Sequence, residues 1–257
     1  MRMKLYKYHS CENTFLVVDY QENIKYDVIS NNLCNKYNAD GLVVFKNDPV
    51  QMLFFNRDGS KAKMCGNGIR VLMHYIYDRF NMYNYLDIKT DSGVYSCEIV
   101  DKDPFISSVS LGIGSYVNDT TRNIIDINGK EFEVTLFELG VKHAVVLSKD
   151  LIEDEKNLEE LYNCSYLSGE YNVNLVRPLN NNIFEIITYE KGAGITKSCG
   201  TGAASSGYIL HALYGLEDNL IAVSPGGVLK VNIGDEIVLT GESSFIKMYE
   251  DNIWKYY

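Results

Sequence analysis

The sequence predicts an α+β protein made of two pseudo-symmetric halves, each rich in strands around one central helix. The first observation is a pair of matching stretches, residues 56–74 and 190–208, in which Cys-Gly-X-Gly leads into a helical run. The second is their spacing: Cys199 follows Cys65 by 134 positions in a chain of 257 residues. Each half therefore holds one such stretch, with the same local plan.

In the first half, period-2 apolar patterns and turn residues predict several strands before and after one central helix. Asp27 is predicted to cap a helix over 28–35, with Val28, Ile29 and Leu33 facing inward. The apolar spacing from Ile69 to Phe80 predicts the central helix, with one buried face. The predicted strands span 5–8, 15–20, 41–46, 50–56, 85–89, 94–100 and 107–111.

The second half repeats this plan. An Asn128-Gly129 turn predicts a hairpin between strands 123–127 and 131–139. Helices are predicted over 150–162 and 203–213, and further strands over 145–147, 173–177, 183–189, 222–224, 228–231, 237–239 and 245–254. We place the first domain at 1–116, completed by the C-terminal strand 246–257, and the second at 117–245. The active site is expected in the cleft between them.

Composition excludes several function classes. The net charge of −10 and the pI near 4.9 argue against a nucleic-acid partner or an anionic membrane surface. The N-terminal region has no signal-peptide pattern, and no apolar run approaches the roughly 20 residues that span a bilayer. We therefore expect a cytoplasmic protein without a membrane partner. No Cys-X-X-Cys pair is present, so no metal site is expected.

A cysteine at a helix N-terminus lies beside unpaired backbone N–H groups and the positive end of the helix dipole. This position lowers the pKa of a thiol and also binds carboxylates. Two such helix starts facing one cleft would place two thiols on opposite sides of a bound carboxylate. One thiolate then removes the α-proton, and the opposite thiol delivers a proton to the other face. The candidate carboxylate-binding residues are Gly66, Asn67, Gly68, Gly200, Thr201 and Gly202.

Several further segments share a family pattern with the two cysteine stretches. They are Asn13-Thr14-Phe15, Leu33-Cys34, Ala39-Asp40-Gly41, Asn56-Arg57-Asp58-Gly59, Met64-Cys65-Gly66-Asn67-Gly68, Gly140-Val141-Lys142-His143, Asn172-Val173-Asn174, Glu190-Lys191-Gly192, Cys199-Gly200-Thr201-Gly202, Pro225-Gly226-Gly227 and Leu239-Thr240-Gly241. On these residues the chain resembles diaminopimelate epimerase and its relatives, the amino-acid racemases that work without pyridoxal phosphate.

The resemblance implies a fold of two barrel-like halves, no cofactor, a small amino-acid substrate and a homodimer. It implies that Cys65 and Cys199 are base and acid, and that His143 and Glu190 polarise or orient the thiols. It also implies that Asn13 lies near the α-carboxylate. The resemblance further assigns substrate contacts to Asn56, Asn172 and Lys191.

Two departures from the family pattern concern the far end of the substrate. The family's Glu-Arg-Gly triplet is Glu190-Lys191-Gly192 here, which removes the planar fork that grips a carboxylate. Its Gly-Asn-Pro-His stretch is Gly140-Val141-Lys142-His143, which replaces an amide with an apolar side chain. We therefore predict a racemase of another amino acid, with histidine favoured; the alternative is a diaminopimelate epimerase.

Three other interpretations of the sequence imply a different chemistry from this racemase. A cysteine hydrolase or transferase would use one thiol with a histidine base and has no use for a second matched cysteine. Proline racemases and hydroxyproline epimerases share the broad fold, but they usually carry histidine where this chain has Asn67. A non-catalytic amino-acid-binding protein would bind its ligand without exchanging the α-proton.

Overall fold

The computed structural model of the protein describes residues 2–81, 83–117 and 122–257. The chain forms two compact units. The first comprises Met1–Val109 together with Thr240–Tyr257, and the second comprises Ser110–Leu239. The domain boundaries predicted from the sequence, after 116 and after 245, lie a few residues further along the chain.

The first unit is built mainly of strands, with two helices. In chain order its elements are β1 (Arg2–Ser10), β2 (Asn13–Asp19), α1 (Tyr26–Tyr37), β3 (Gly41–Asn47), β4 (Val50–Asn56), β5 (Lys61–Ala62), α2 (Gly66–Phe80), β6 (Tyr85–Thr90), β7 (Gly93–Lys102) and β8 (Phe105–Ser110).

The second unit continues from β8 with the same mixture of elements. They are β9 (Ser115–Tyr116), β10 (Asn123–Ile127), β11 (Lys130–Leu139), β12 (Val141–Leu147), α3 (Leu151–Asp154), a 3-10 turn (Glu155–Asn157), α4 (Leu158–Asn163), β13 (Asn172–Pro178), β14 (Ile183–Glu190), β15 (Gly194–Thr196), α5 (Gly200–Tyr214), β16 (Asn219–Ser224), β17 (Gly227–Ile233) and β18 (Ile237–Glu242). The chain then re-enters the first unit with β19 (Ser244–Asn252) and a 3-10 turn (Ile253–Tyr256).

The two units share one strand order. In the first, β1 and β2 pair antiparallel, β2 and β3 parallel, β3 and β4 antiparallel, and β6 pairs parallel to β4 and antiparallel to β7. In the second, β11 and β12 pair antiparallel, β12 and β13 parallel, β13 and β14 antiparallel, and β16 pairs parallel to β14 and antiparallel to β17. The parallel pairs are joined by crossovers that carry helices, as parallel pairing requires. The pseudo-symmetry predicted from the paired cysteine stretches is confirmed.

Each unit has one deeply buried helix that follows its cysteine. Every residue of α2 from Gly66 to Ile76 is buried, and so is every residue of α5 from Gly200 to Gly207. A helix buried on all sides is normally apolar or small throughout. In α5 small size is required by contact, since a Cβ on Gly207 would lie 3.0 Å from Cγ1 of Val231.

The helix predicted over 28–35 exists, but its predicted cap and one inward residue are wrong. Helix α1 begins at Tyr26 and has Lys25 at its N-cap position, without a side-chain cap, so that Asp27 lies in the first turn. Val28 is exposed. The ring of Tyr26 stacks on Phe55 in the core, which fixes the inward face at Tyr26, Ile29 and Leu33, one turn apart.

The predicted helix over 150–162 is in fact α3, a 3-10 turn and α4 in succession. The change occurs at Asp154, a buried carboxylate that accepts hydrogen bonds from Ser148 Oγ at 2.7 Å and from Lys130 Nζ. These contacts tie the end of α3 to β12 and β11. Strands β5, β9 and β15 were not predicted, because two or three residues are too few for a period-2 pattern.

Membrane-spanning helices were not expected from the sequence. Within the described ranges, none of the helices is long and apolar enough to cross a bilayer.

Candidate active site

Cys65 occupies the N-cap position of α2, with an extended backbone (φ −145°, ψ 114°). Its Sγ accepts a hydrogen bond from the backbone N–H of Gly68 at 3.4 Å. A Cβ on Gly68 would lie 3.3 Å from Cys65 Cβ, so the glycine allows the helix start to close around the thiol. The half-buried thiol thus replaces the usual Ser, Thr or Asp cap, at the positive end of the dipole.

Two predicted ligand residues, Asn13 and Asn67, are hydrogen-bonded to each other. The Nδ2 of Asn67 in α2 donates to Oδ1 of Asn13 at the start of β2, with 2.7 Å between the atoms. Asn67 is buried and Asn13 is half-buried. Asn56, at the end of β4, donates from its Nδ2 to Oγ of Ser60 at 2.9 Å and so closes the loop before the cysteine.

Cys199 holds the same N-cap position in α5, again with an extended backbone (φ −123°, ψ 111°). Its side chain is buried, and its Sγ lies 3.6 Å from Oγ1 of Thr201. A Cβ on Gly202 would lie 2.3 Å from Oδ1 of Asn174 and 3.2 Å from Cys199 Sγ. Only glycine lets α5 approach β13 this closely, with the thiol next to the contact.

His143 is fully buried on β12, and its surroundings fix its tautomer. The Nδ2 group of Asn174 lies 3.0 Å from His143 Nδ1 and 3.4 Å from each of the carbonyl oxygens of Ala144 and Asn172. Because carbonyls only accept, this end of the amide is the NH2 group, and His143 Nδ1 must accept from it. Oγ1 of Thr188 completes the arrangement by donating to Asn174 Oδ1 at 3.0 Å.

The imidazole of His143 is therefore neutral and carries its proton on Nε2. Burial lowers its pKa to about 3. Protonation would also set a second N–H against the Asn174 amide hydrogens. Nε2 has no hydrogen-bond partner within the described ranges, so its N–H is a buried donor. Such a group can donate to a neighbouring sulfur or substrate atom, but it is a poor proton acceptor at neutral pH.

Three further predicted residues of the second unit lie at or next to the turn between β14 and β15: Glu190 ends β14, Lys191 follows it, and Asn172 opens β13. Glu190 is half-buried, and its Oε1 accepts from Oγ1 of Thr196 at 2.6 Å. Lys191 is exposed, and its backbone N–H donates to Oδ1 of Asn172 at 2.9 Å. Asn172 thus supports the main chain of the Glu-Lys-Gly triplet with its oxygen, which leaves its Nδ2 as the available donor.

Sequence spacing and register relate the two halves residue by residue. Asn56 and Glu190 each stand nine residues before their cysteine. Phe15 opens the parallel β2–β3 register opposite Gly41, as His143 opens the β12–β13 register opposite Asn172. The halves therefore carry the same scaffold with different chemistry: an apolar ring in the first stands where an imidazole stands in the second.

Three polar residues of these clusters were not predicted as site residues. Asn174 and Thr188 hold His143, and Arg70 donates from Nη2 to Oδ1 of Asn67 at 2.7 Å. The sequence contained a feature that could have identified two of them. Asn174 follows Asn172 by two positions on a strand and so faces the same side, and Arg70 is a lone Arg in a stretch otherwise without Lys, Arg, Asp or Glu from 64 to 77.

Comparison with known proteins identifies the family. Residues 5–117 and 135–246 match the family model described as diaminopimelate epimerase. The curated diaminopimelate epimerase of Clostridium perfringens is 31% identical, over 95% of this chain and 97% of its own. That of Alkaliphilus metalliredigens is 30% identical, over 92% of each chain.

Solved structures show the same fold at low sequence identity. A Bacillus anthracis phenazine biosynthesis protein of the PhzF family superposes with a TM-score of 0.75 at 14% identity, over 98% of this chain and 99% of its own. A hydroxyproline epimerase from Agrobacterium vitis superposes with a TM-score of 0.75 at 12% identity, over 97% and 92%. The chain belongs to the diaminopimelate epimerase family, and it is an isomerase of the epimerase and racemase type.

Proposed function

We propose that this isomerase inverts the α-carbon of an amino acid without a cofactor, with Cys65 and Cys199 as the acid–base pair. The observation that carries the proposal is the matched position of the two thiols. Each is the N-cap residue of a 15-residue helix, and the two helices belong to units that share the same strand order. A hydrolase with a single nucleophilic thiol gives no reason for this repetition.

The proposed reaction needs one thiolate and one thiol. The thiolate takes the α-proton and becomes a thiol, and the other thiol gives its proton to the opposite face of the carbanion and becomes the thiolate. Because the α-proton is very weakly acidic, the carbanion needs preorganised donors. The backbone N–H groups of Gly66, Asn67, Gly200 and Thr201 are proposed to bind the α-carboxylate at the two helix starts.

His143 is proposed to assist as a hydrogen-bond donor rather than as a base. Its buried Nε2–H and its lowered pKa suit it to stabilise negative charge on a neighbouring atom. Glu190 is proposed to orient the Cys199 loop, with Thr196 fixing its carboxylate.

The substrate side chain is proposed to be smaller or less charged than that of diaminopimelate, with histidine as the favoured substrate. Two residues support this. Lys191 is an exposed ammonium, a point charge without the bidentate fork of arginine. Val141 is an apolar side chain at the start of β12. Asn56 and Asn172 remain as amides for a polar side-chain group.

The second candidate is epimerisation of diaminopimelate itself. It is favoured by the relatives of 30% and 31% identity, which are named diaminopimelate epimerase and match over nearly their whole length. Under this alternative, Lys191 replaces the family's arginine at the distal carboxylate.

Exchange of the α-proton in D₂O, followed by ¹H NMR, decides between these candidates. The panel contains both enantiomers of histidine, LL- and meso-diaminopimelate, lysine, arginine, proline and alanine, with reductant and without pyridoxal phosphate. We expect histidine to exchange and to appear as both enantiomers. Turnover of LL-diaminopimelate without exchange of histidine would replace the first candidate by the second, and ligand-induced stabilisation without any exchange would indicate a binding protein.

Three variants test the cysteine pair within the same assay. C65S and C199S should each abolish racemisation, since each reaction direction uses both sulfurs. C164S is the matched control, because Cys164 is a partly exposed thiol after α4 and should leave the rate unchanged. A C65S enzyme that retains racemisation would contradict the two-thiol mechanism.

A further inference from the structure

Arg70 is a fully buried cation within the apolar helix α2. Nη2 donates to Ser10 Oγ at 2.8 Å and to Asn67 Oδ1 at 2.7 Å, and Nη1 donates to Gly66 O at 3.4 Å; these three acceptors are neutral. Its Nε lacks a partner within the described ranges. Burying a guanidinium without a carboxylate partner costs free energy. A cation in this position therefore suggests a functional role.

A role for Arg70 follows from which groups can donate hydrogen bonds and which can accept them. A guanidinium can only donate, so the group that Asn67 turns toward Arg70 must be its oxygen. The Nδ2 of Asn67 then faces Asn13, which must present its own oxygen. The Nδ2 of Asn13 is left pointing away from this chain of contacts. Arg70 thereby determines which end of the Asn13 amide is offered to a ligand.

The second unit differs at this point. At the position of α5 that matches Arg70, five residues after the cysteine, the chain has Ala204.

We propose that Arg70 is a positioning residue of the racemase: it orients Asn13 through Asn67 as a donor to the substrate carboxylate. The proposal rests on the proposed function.

The decisive experiment measures binding of the amino acids of the exchange panel by ligand-induced thermal stabilisation, together with KM for the one that exchanges. The variants are R70M, R70K and N67A, with R79M as the control for loss of a cation on the exposed side of the same helix. Binding does not require turnover, so a failure of the orienting role is distinguishable from a failure of the proposed reaction.

N67A, R70K and R70M should weaken binding and raise KM about tenfold or more, because the Asn13 amide is no longer held in one orientation. R79M should keep the wild-type binding and KM, since Arg79 is an exposed residue near the end of α2.

Circular dichroism and the melting temperature establish that each variant folds, and R70K and N67A still test the proposal if R70M does not. Unchanged binding and unchanged KM in both folded N67A and folded R70K would overturn the orienting role.

Discussion

Among the single residues of the site, the surroundings of the Cys199 thiol depend on the absence of a side chain at Gly202. Gly202 faces Oδ1 of Asn174 so closely that any side chain must displace that amide. The amide in turn holds Nδ1 of His143. The small size of Gly202, the amide orientation and the histidine tautomer are therefore one coupled arrangement.

We predict that G202A lowers the free energy of unfolding by about 1–3 kcal/mol, the usual cost of overpacking a buried site. G68A at the matching position of α2 should cost less, since its Cβ would meet Cys65 Cβ at 3.3 Å and Phe54 at 3.6 Å. Urea denaturation of both variants measures the difference.

A double-mutant cycle isolates the cause. In an N174A background the clashing oxygen is absent, and G202A should cost much less than in the wild type. Equal costs in the two backgrounds would show that the strain at Gly202 arises elsewhere.

The positions of Cys65 and Cys199 at helix starts could be predicted from sequence alone because their motif carries its own local context, a glycine-rich segment ahead of an apolar run. Arg70 and Asn174 were missed for a physical reason. Their roles depend on the direction of hydrogen bonds across elements that lie far apart in the chain, such as Arg70 to Ser10. A single sequence states which groups are present, but the side-chain pairing decides what each group does.

At the scale of elements, the C-terminal segment is fastened to the first unit by one carboxylate. Asp251 at the end of β19 is buried and accepts hydrogen bonds from Lys36 at 2.7 Å, Tyr37 at 3.0 Å, Lys255 at 2.6 Å and Tyr256 at 2.7 Å. Burial alone raises the pKa of Asp251, but these four donors outweigh it and hold the pKa well below its usual range. Helix α1 and the last 3-10 turn are joined through this group.

We predict that D251N lowers the free energy of unfolding by about 2 kcal/mol, because two charge-assisted hydrogen bonds become weak ones or are lost. E250Q is the matched control on the same strand, since Glu250 is exposed and lies 4.0 Å from the guanidinium of Arg2. Its expected cost is within about 0.5 kcal/mol. Denaturation at pH 7 tests both, and equal effects would contradict the fastening role of Asp251.

Most elements followed from sequence because their patterns are long. The hairpin at Asn128-Gly129 has both turn residues at positive φ, 55° and 82°, as the predicted turn requires. Helix α2 was found from its apolar spacing, although it begins three residues earlier than predicted. The errors lie where tertiary contacts override local preference, as at Tyr26, which sets the phase of α1, and at Asp154, where the predicted long helix breaks.

At the scale of the whole molecule, the repeated fold carries two different electrostatic designs. The first unit places a buried cation in the helix that follows its cysteine, and the second places a neutral imidazole on the strand beside its helix. A scaffold that duplicates geometry without duplicating charge suits the proposed reaction, in which the two thiols start in opposite protonation states. Substitutions that give the two halves the same charge should therefore lower the activity more than they lower the free energy of unfolding.

The buried titratable groups also set the acid stability of the molecule. Burial lowers the pKa of His143 from 6.5 to about 3, and burial lowers that of His74 despite the opposing effects of Asp78 and Ser243. Both rings take up protons more readily in the unfolded chain. Their contribution to stability is thus complete above about pH 6.5 and is lost as the pH falls.

The order in which these groups lose their contributions to stability on acidification is therefore predictable. Between about pH 6.5 and 4, His143 should lower the free energy of unfolding by up to about 1.4 kcal/mol per pH unit. The contribution of Asp251, whose pKa in the folded state is depressed, should be lost only below about pH 4. Urea denaturation from pH 8 to 3 should show a shallower slope in H143Q from about pH 6.5 down to about pH 3, where the folded-state pKa of His143 lies. In D251N, the slope should change only below about pH 4. A wild-type slope in H143Q between pH 6.5 and 4 would contradict a neutral, buried His143 and, with it, the donor role assigned to its Nε2–H.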